Sequence, residues 1–158
     1  MKKVIFILAA LLVSQIAMAE EASLILFKEI GFQIQPLEAI SDTTSSQPLI
    51  MMLPPSNGFA PNVNIMIQPY KAKIEQYKEI TERQLQQAKF KSLTSKIDNG
   101  VYVFEYLGKM SGGSVHVYSK AHQKDGHVYL ITATDIESQW NDNKDKLLKA
   151  VDSFRFIK

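Results

Sequence analysis

Apolar and polar positions along this chain fall into three kinds of pattern, and their order predicts the architecture. The first is an unbroken apolar run over residues 4–13 (VIFILAALLV), preceded by Lys2 and Lys3. The second is alternation at period two, which turns successive side chains to opposite faces of a strand. Residues 25–36 place Phe32 and Ile34 two apart, and residues 49–53 form a compact apolar run that ends at Pro54-Pro55. Residues 62–68 alternate Val63, Ile65 and Ile67 with Asn62, Asn64, Met66 and Gln68. Residues 41–47 (SDTTSSQ) read as a polar loop, and Asn57-Gly58 as a turn.

The third pattern has a longer period. Ile74, Tyr77, Thr81, Leu85 and Ala88 recur at spacings of three and four, with Glu75, Lys78, Glu79, Glu82 and Arg83 on the other faces. That spacing predicts an amphipathic helix over 74–88. Its polar face mixes both charge signs, which does not suit a helix lying on an anionic membrane. Strands return at 90–97 and 101–107, joined by Asp98-Asn99-Gly100, whose residues tolerate positive φ. In the second of these, Tyr102, Phe104 and Tyr106 share one face, and Val101, Val103 and Glu105 the other. Residues 108–114 read as a flexible connection. Strands at 115–122 and 127–134 then flank a turn at 123–126. A closing helix over 138–152 gathers Trp140, Lys144, Leu147, Leu148 and Val151 on one side, and 153–157 runs off as an extended tail. Strands, helix, hairpins and helix in that order predict an α+β domain, an antiparallel sheet with helices packed on it.

The opening run, only ten residues long, is well short of the roughly 18–20 that span a bilayer. With Lys2 and Lys3 before it and Ala17-Met18-Ala19 after it, residues 1–19 read as a secretory signal peptide. Cleavage is expected between Ala19 and Glu20, leaving 20–158 as a single domain in the periplasm or secreted. No later segment is apolar enough to span a membrane. This changes the reading of charge. The whole chain has 18 Lys plus Arg and 16 Asp plus Glu, but removing Lys2 and Lys3 leaves 16 cations against 16 anions. A neutral exported domain is not expected to bind nucleic acid. The chain has no cysteine, so thiol catalysis, thiolate metal sites, a lipid anchor at a lipobox and disulfide staples are all excluded.

No P-loop, G-x-G-x-x-G, G-x-S-x-G or H-E-x-x-H occurs. Gly112-Gly113-Ser114 lacks the second glycine of a nucleophile turn. The most suggestive constellation is His116, His122 and His127, all on the second hairpin. Counting by twos places His116, Tyr118, Lys120 and His122 on one face, joined by His127, Tyr129 and Ile131. Val115, Val117, Ala121, Val128 and Leu130 form the core face. His122 and His127 are then expected as cross-strand neighbours at solvated strand ends. Two imidazoles with no carboxylate on the same face of the hairpin are too few for a structural zinc site. Tyr102, Phe104 and Tyr106 are expected in the core rather than as a base-stacking platform, and Trp140 as a core anchor. Glu105, the one carboxylate inside an apolar strand, is expected at a sheet edge or partly buried against a cation or tyrosine. Phe59, within the proline-limited segment 54–61 (PPSNGFAP), is expected to tuck back onto the sheet; exposed, it would suit partner recognition. No catalytic, cofactor or metal residue is assigned.

Several stretches, in order, resemble the PsbP-like family, which includes DcrB-type exported bacterial domains. They are Gly31-Phe32-Gln33-Ile34-Gln35-Pro36, Asn62-Val63-Asn64-Ile65 with Pro69, and Ile74-Glu75-Gln76-Tyr77. The Glu105-Tyr106 pair, Val128-Tyr129-Leu130-Ile131-Thr132-Ala133, Trp140 and Val151-Asp152-Ser153-Phe154 complete the set. After Pro36 the family has a tryptophan, where this chain has Leu37-Glu38-Ala39-Ile40. The resemblance implies an α/β/α sandwich around a central antiparallel sheet with two main helices. It also implies a non-catalytic binding or assembly role, with no catalytic motif, cofactor or metal to carry over. The expected partner is a protein of the bacterial cell envelope. A carrier of a small apolar ligand, its adaptable methionines lining the site, is the alternative; a hydrolase assembled from dispersed residues comes last.

Overall fold

The computed structural model describes residues 25–28, 31–35, 42–110 and 113–157. The expected signal segment and the departure after Pro36 lie outside them. Contacts divide the chain into two units, Met1–Leu37 and Glu38–Lys158. In the first, β1 (Ile25–Phe27) and β2 (Phe32–Ile34) pair antiparallel, with Ile25 opposite Ile34. The pattern reads this stretch as one extended segment. The chain instead folds back at Gly31, whose φ of 75° is open to a residue without Cβ.

The second unit holds β3 (Ser46–Met52), β4 (Asn62–Pro69), α1 (Ile74–Gln87), β5 (Lys91–Asp98), β6 (Val101–Met110), β7 (Gly113–Lys124) and β8 (His127–Ile136). A 3-10 turn, Glu137–Gln139, leads into α2 (Trp140–Asp152). Six strands form one sheet in the order β3-β4-β8-β7-β6-β5, every pair antiparallel. Three turns of the same kind set its register. Asn57-Gly58, Asn99-Gly100 and Asp125-Gly126 each hold two successive positive φ angles, near 50° and then 75–78°. That geometry matches the twist of the strands it joins.

Two differences from the sequence pattern concern strand length. Ser46 and Gln47, expected in a loop, already belong to β3, which pairs with β4 across a register shift between Ser46 and Leu49. The shift accommodates Pro48, which has no N–H for the ladder. Likewise β6 and β7 continue through the expected flexible connection. Gly108 pairs with Val115, Lys109 with Ser114 and Met110 with Gly113. Backbone hydrogen bonds to a long neighbouring strand hold these glycines extended although they bring no packing of their own.

The sheet is covered on both faces. On one, Tyr102, Phe104, Ala121 and Val128 are buried with Ile74 of α1, with Tyr77 and Leu85 packed against them. On the other, Val63, Ile131 and Ala133 are buried with Trp140, Leu147 and Val151 of α2. The aromatic stripe of β6 is therefore core, as expected. Tyr77 stands edge-on between Tyr70 and Tyr102, at 5.2 and 6.5 Å between ring centres, and donates to Gln68 Oε1 at 2.5 Å. Burial, with smaller contributions from Tyr102 and Tyr70, pushes its hydroxyl up to about 12.

Helix α1 ends in a paired-carbonyl cap. Phe90 N–H reaches Leu85 O at 2.9 Å, Lys89 N–H reaches Gln86 O at 3.0 Å, and Lys89 itself sits at φ 59°. This cap swings the Phe90 ring over Gly108, where it stacks with Tyr106 at 5.3 Å. A Cβ on Gly108 would stand 2.9 Å from two of that ring's carbons. Gly108→Val is expected to lower stability by about 1–3 kcal/mol through this clash. Urea denaturation of the two proteins checks it, and an unchanged midpoint would show that the ring moves aside freely.

Candidate functional site

The strongest polar constellation in the second unit is centred on His116. Strand β7 carries it on the face that meets α2. Its ring lies flat on the indole of Trp140, with centres 4.0 Å apart and planes 5° from parallel. Its Nε2 is 2.6 Å from Glu105 Oε1 on β6, and its Nδ1 is 2.8 Å from Glu137 Oε2 in the turn after β8. Asp135, fully buried, stands directly across the ladder from His116. One Asp135 oxygen accepts from the Ile136 N–H at 2.7 Å, the other from Asn143 Nδ2 at 2.9 Å. Strand, turn and helix thus converge on one imidazole.

The chemistry of this arrangement follows from donor counting. A neutral imidazole has one N–H, while two carboxylates facing both nitrogens require two. Each ring nitrogen lies at hydrogen-bond distance from a carboxylate, and the indole covers one face of the ring. Both nitrogens are thus engaged by groups of the chain itself. Among the described residues, no group of three or more His, Asp or Glu is arranged to hold a metal ion.

This corrects the expectation of solvated histidines. His116 and His127 are both buried, the first because α2 and the turn before it cover a face that the strand pattern alone leaves open. It also supplies the carboxylates expected to be lacking on this face. Asp135 shares it because β8 runs two residues further than expected, and Glu137 arrives from the turn. Glu105 is partly buried, one of the settings expected for it, and its partner is the imidazole of His116. Asp135, Glu137 and Asn143 escaped the sequence reading. The available signal was the Asp125-Gly126 turn: counting outward from it, through Lys124 opposite His127, brings Asp135 opposite His116.

His122 and His127 are not direct cross-strand partners: His122 pairs with Tyr129, and His127 with Lys124. His127 Nδ1 lies 2.9 Å from Asp125 O, and its Nε2 is 3.6 Å from Asp42 Oδ1. His122 lies in an aromatic corner made by the C-terminal tail. Its ring centre is 4.9 Å from that of Phe154 and 6.3 Å from that of Phe156, and Tyr129 meets Phe156 at 4.9 Å. Its Nε2 is buried without a hydrogen-bond partner. Burial, reinforced by Lys120, holds its pKa below the ordinary histidine value of 6.5. Phe59 is half-buried, its backbone bridged to Ser56 across the Asn57-Gly58 turn. A groove of about 430 Å³ opens at the end of α1, lined by Glu82, Leu85, Gln86, Lys89, Phe90, Lys91 and Ser92. It lies on the opposite sheet face from His116.

Two outcomes follow from these settings. Removing the imidazole in His116→Ala leaves Glu105 and Glu137 facing each other across a gap beside Trp140. Because both carboxylates keep some solvent contact, the expected loss is about 2–3 kcal/mol. Glu137→Gln, at the more exposed partner, should cost about 0–1 kcal/mol. A Glu137→Gln loss as large as that of His116→Ala in urea denaturation would show that the outer carboxylate, and not the Glu105 pair or the packing on Trp140, holds the ring. For His122, the folded pKa is depressed, so its contribution is present above the unfolded value near 6.5. It is lost as pH falls from there toward the folded value. Wild type should therefore lose stability on acidification relative to His122→Gln; parallel pH profiles would refute the assignment.

Comparison with known proteins adds to this picture. Residues 60–156, from just before β4 to the tail after α2, match the PsbP family. No curated protein matches the chain. Among solved structures it is similar to PA94, a protein of unknown function from Pseudomonas aeruginosa. Identity is 16% over 86% of this chain and 97% of that one, with a TM-score of 0.54. It is also similar to the cyanobacterial PsbP (CyanoP) of Synechocystis sp. PCC 6803. There the identity is 12% over 61% of this chain and 68% of that one, with a TM-score of 0.47. The matched segment holds both helices and five of the six strands of the main sheet, well over half of the chain, and the protein belongs to the PsbP family.

Proposed function

We propose that this chain is an exported, non-catalytic binding or assembly module of the bacterial cell envelope. In this reading residues 1–19 are removed between Ala19 and Glu20, and the released domain works in the periplasm on a protein partner. The observation that carries it is the internal commitment of the His116 centre. Both ring nitrogens face carboxylates and one ring face is covered by Trp140, so its polar groups serve to tie α2 to the sheet. Membership of the PsbP family and the charged, apolar and A-x-A order of residues 1–19 support the same reading.

The test is expression in the native bacterium with a C-terminal tag. The periplasmic fraction should yield protein whose N-terminal sequence starts at Glu20, and mild crosslinking there should give one defined adduct with an envelope protein. Uncleaved protein in the cytoplasm, or periplasmic protein with no specific adduct, would refute the proposal.

A further inference from the structure

The two edges of the main sheet are unlike. Edge strand β5 (KSLTSKID) carries Lys91, Lys96 and Asp98, the charges with which sheet edges discourage unwanted pairing. Edge strand β3 and the residue after it (SQPLIMML) carry no charge at all. Pro48 and Pro54, which cannot donate to a ladder, bound a window of five apolar residues, Leu49 to Leu53. Three of these are open to solvent: Ile50 at 45%, Met51 at 45% and Met52 at 62%. They face both ways, since Ile50 and Met52 point to one side of the sheet and Met51 to the other. Among the described residues, nothing pairs with the outer side of this strand.

We propose that β3 is an interaction edge whose occupant is the β3 of a second copy, paired antiparallel about Met51. Symmetry and charge select this occupant. In that register Met51 faces its own counterpart, Ile50 faces Met52, Leu49 faces Leu53, and Pro48 falls opposite Pro54. The prolines at both ends therefore leave the ladder together, and no donor inside the window is lost to them. An uncharged strand meets its own copy without like charges opposed, whereas a partner chosen by charge would find nothing here to read. The chain's net charge of only +2 adds little long-range repulsion between copies. The product is one sheet running through both molecules, with the exposed methionines on its two faces at the junction. This inference is independent of any envelope partner.

Sedimentation velocity tests it. Wild type should be a dimer at micromolar concentration, and a monomer at every concentration would overturn the proposal. Met51→Lys and Met51→Glu should each raise the dimer Kd by about tenfold or more, because like charges then meet at the centre. An equal mixture of the two should recover a dimer of mixed composition. Leu93→Lys on β5 should change nothing. A dimer untouched by Met51→Lys, or a mixture that stays monomeric, would overturn the assignment. Hydrogen exchange on wild type gives a check that no variant can confuse. Protection of the outward-facing amides of Ile50 and Met52, which alternate with those bonded to β4, should fall on dilution, and protection there that persists in the monomer would refute pairing between copies.

Discussion

The pairing of β7 with β8 is the constraint on which the rest of the main domain depends. The tight Asp125-Gly126 turn fixes its register over ten residue pairs, from Lys124 opposite His127 to Val115 opposite Ile136. Side chains alternate with a period of two, so a slip of one residue would exchange the two faces of the sheet. His116 and Asp135 would then point at α1, while Ala121 and Val128 would lose their cover. The neighbouring strands inherit their faces from this hairpin. On one side β4 pairs with β8 and brings Val63 beside Ala133; on the other β6 pairs with β7 and brings Tyr102 beside Ala121. Both helix-packing surfaces are laid down by that single register.

The centre at His116 converts the register into a hold on α2. Three segments meet there, each adding a group the others need: Glu105 from β6, the imidazole from β7, and Glu137 from the turn leading into the helix. Burying polar nitrogens is costly unless they are paired, and this arrangement gives both a partner while leaving the carboxylates partly wet. Nearer the other end of the same strand, His122 meets aromatic rings and Lys120 rather than carboxylates, and it is held toward the neutral form. One strand face thus places one residue type in two different settings. The polar interior of this domain sets its shape.

The surface of the domain is asymmetric at the two edges of its sheet. The family match, residues 60–156, includes the charged edge β5 and begins after the apolar edge β3. No residue of β3 belongs to the buried core on either face of the sheet, so its exposed side chains can change without disturbing either helix.

Much of the fold was legible before any coordinates. Period two gave the strands from β4 to β8, spacings of three and four gave α1 and α2, and Asn-Gly and Asp-Gly pairs gave the turns, because all of these are local properties of the backbone. The faces of β6, with Tyr102, Phe104 and Tyr106 set against Glu105, were legible for the same reason. Strand ends were not: Ser46, Gly108 and Gly113 are strand residues only because a neighbouring strand bonds to them. Nor was the site, since Glu105, His116 and the stretch from Asp135 to Trp140 come from three separate segments that obey no common spacing. The sequence by itself determined which residues could share a face and where the chain had to turn. Only the tertiary structure decided which face α2 would cover, and with it whether His116 met water or two carboxylates, because that choice rests on contacts between segments that no local pattern encodes.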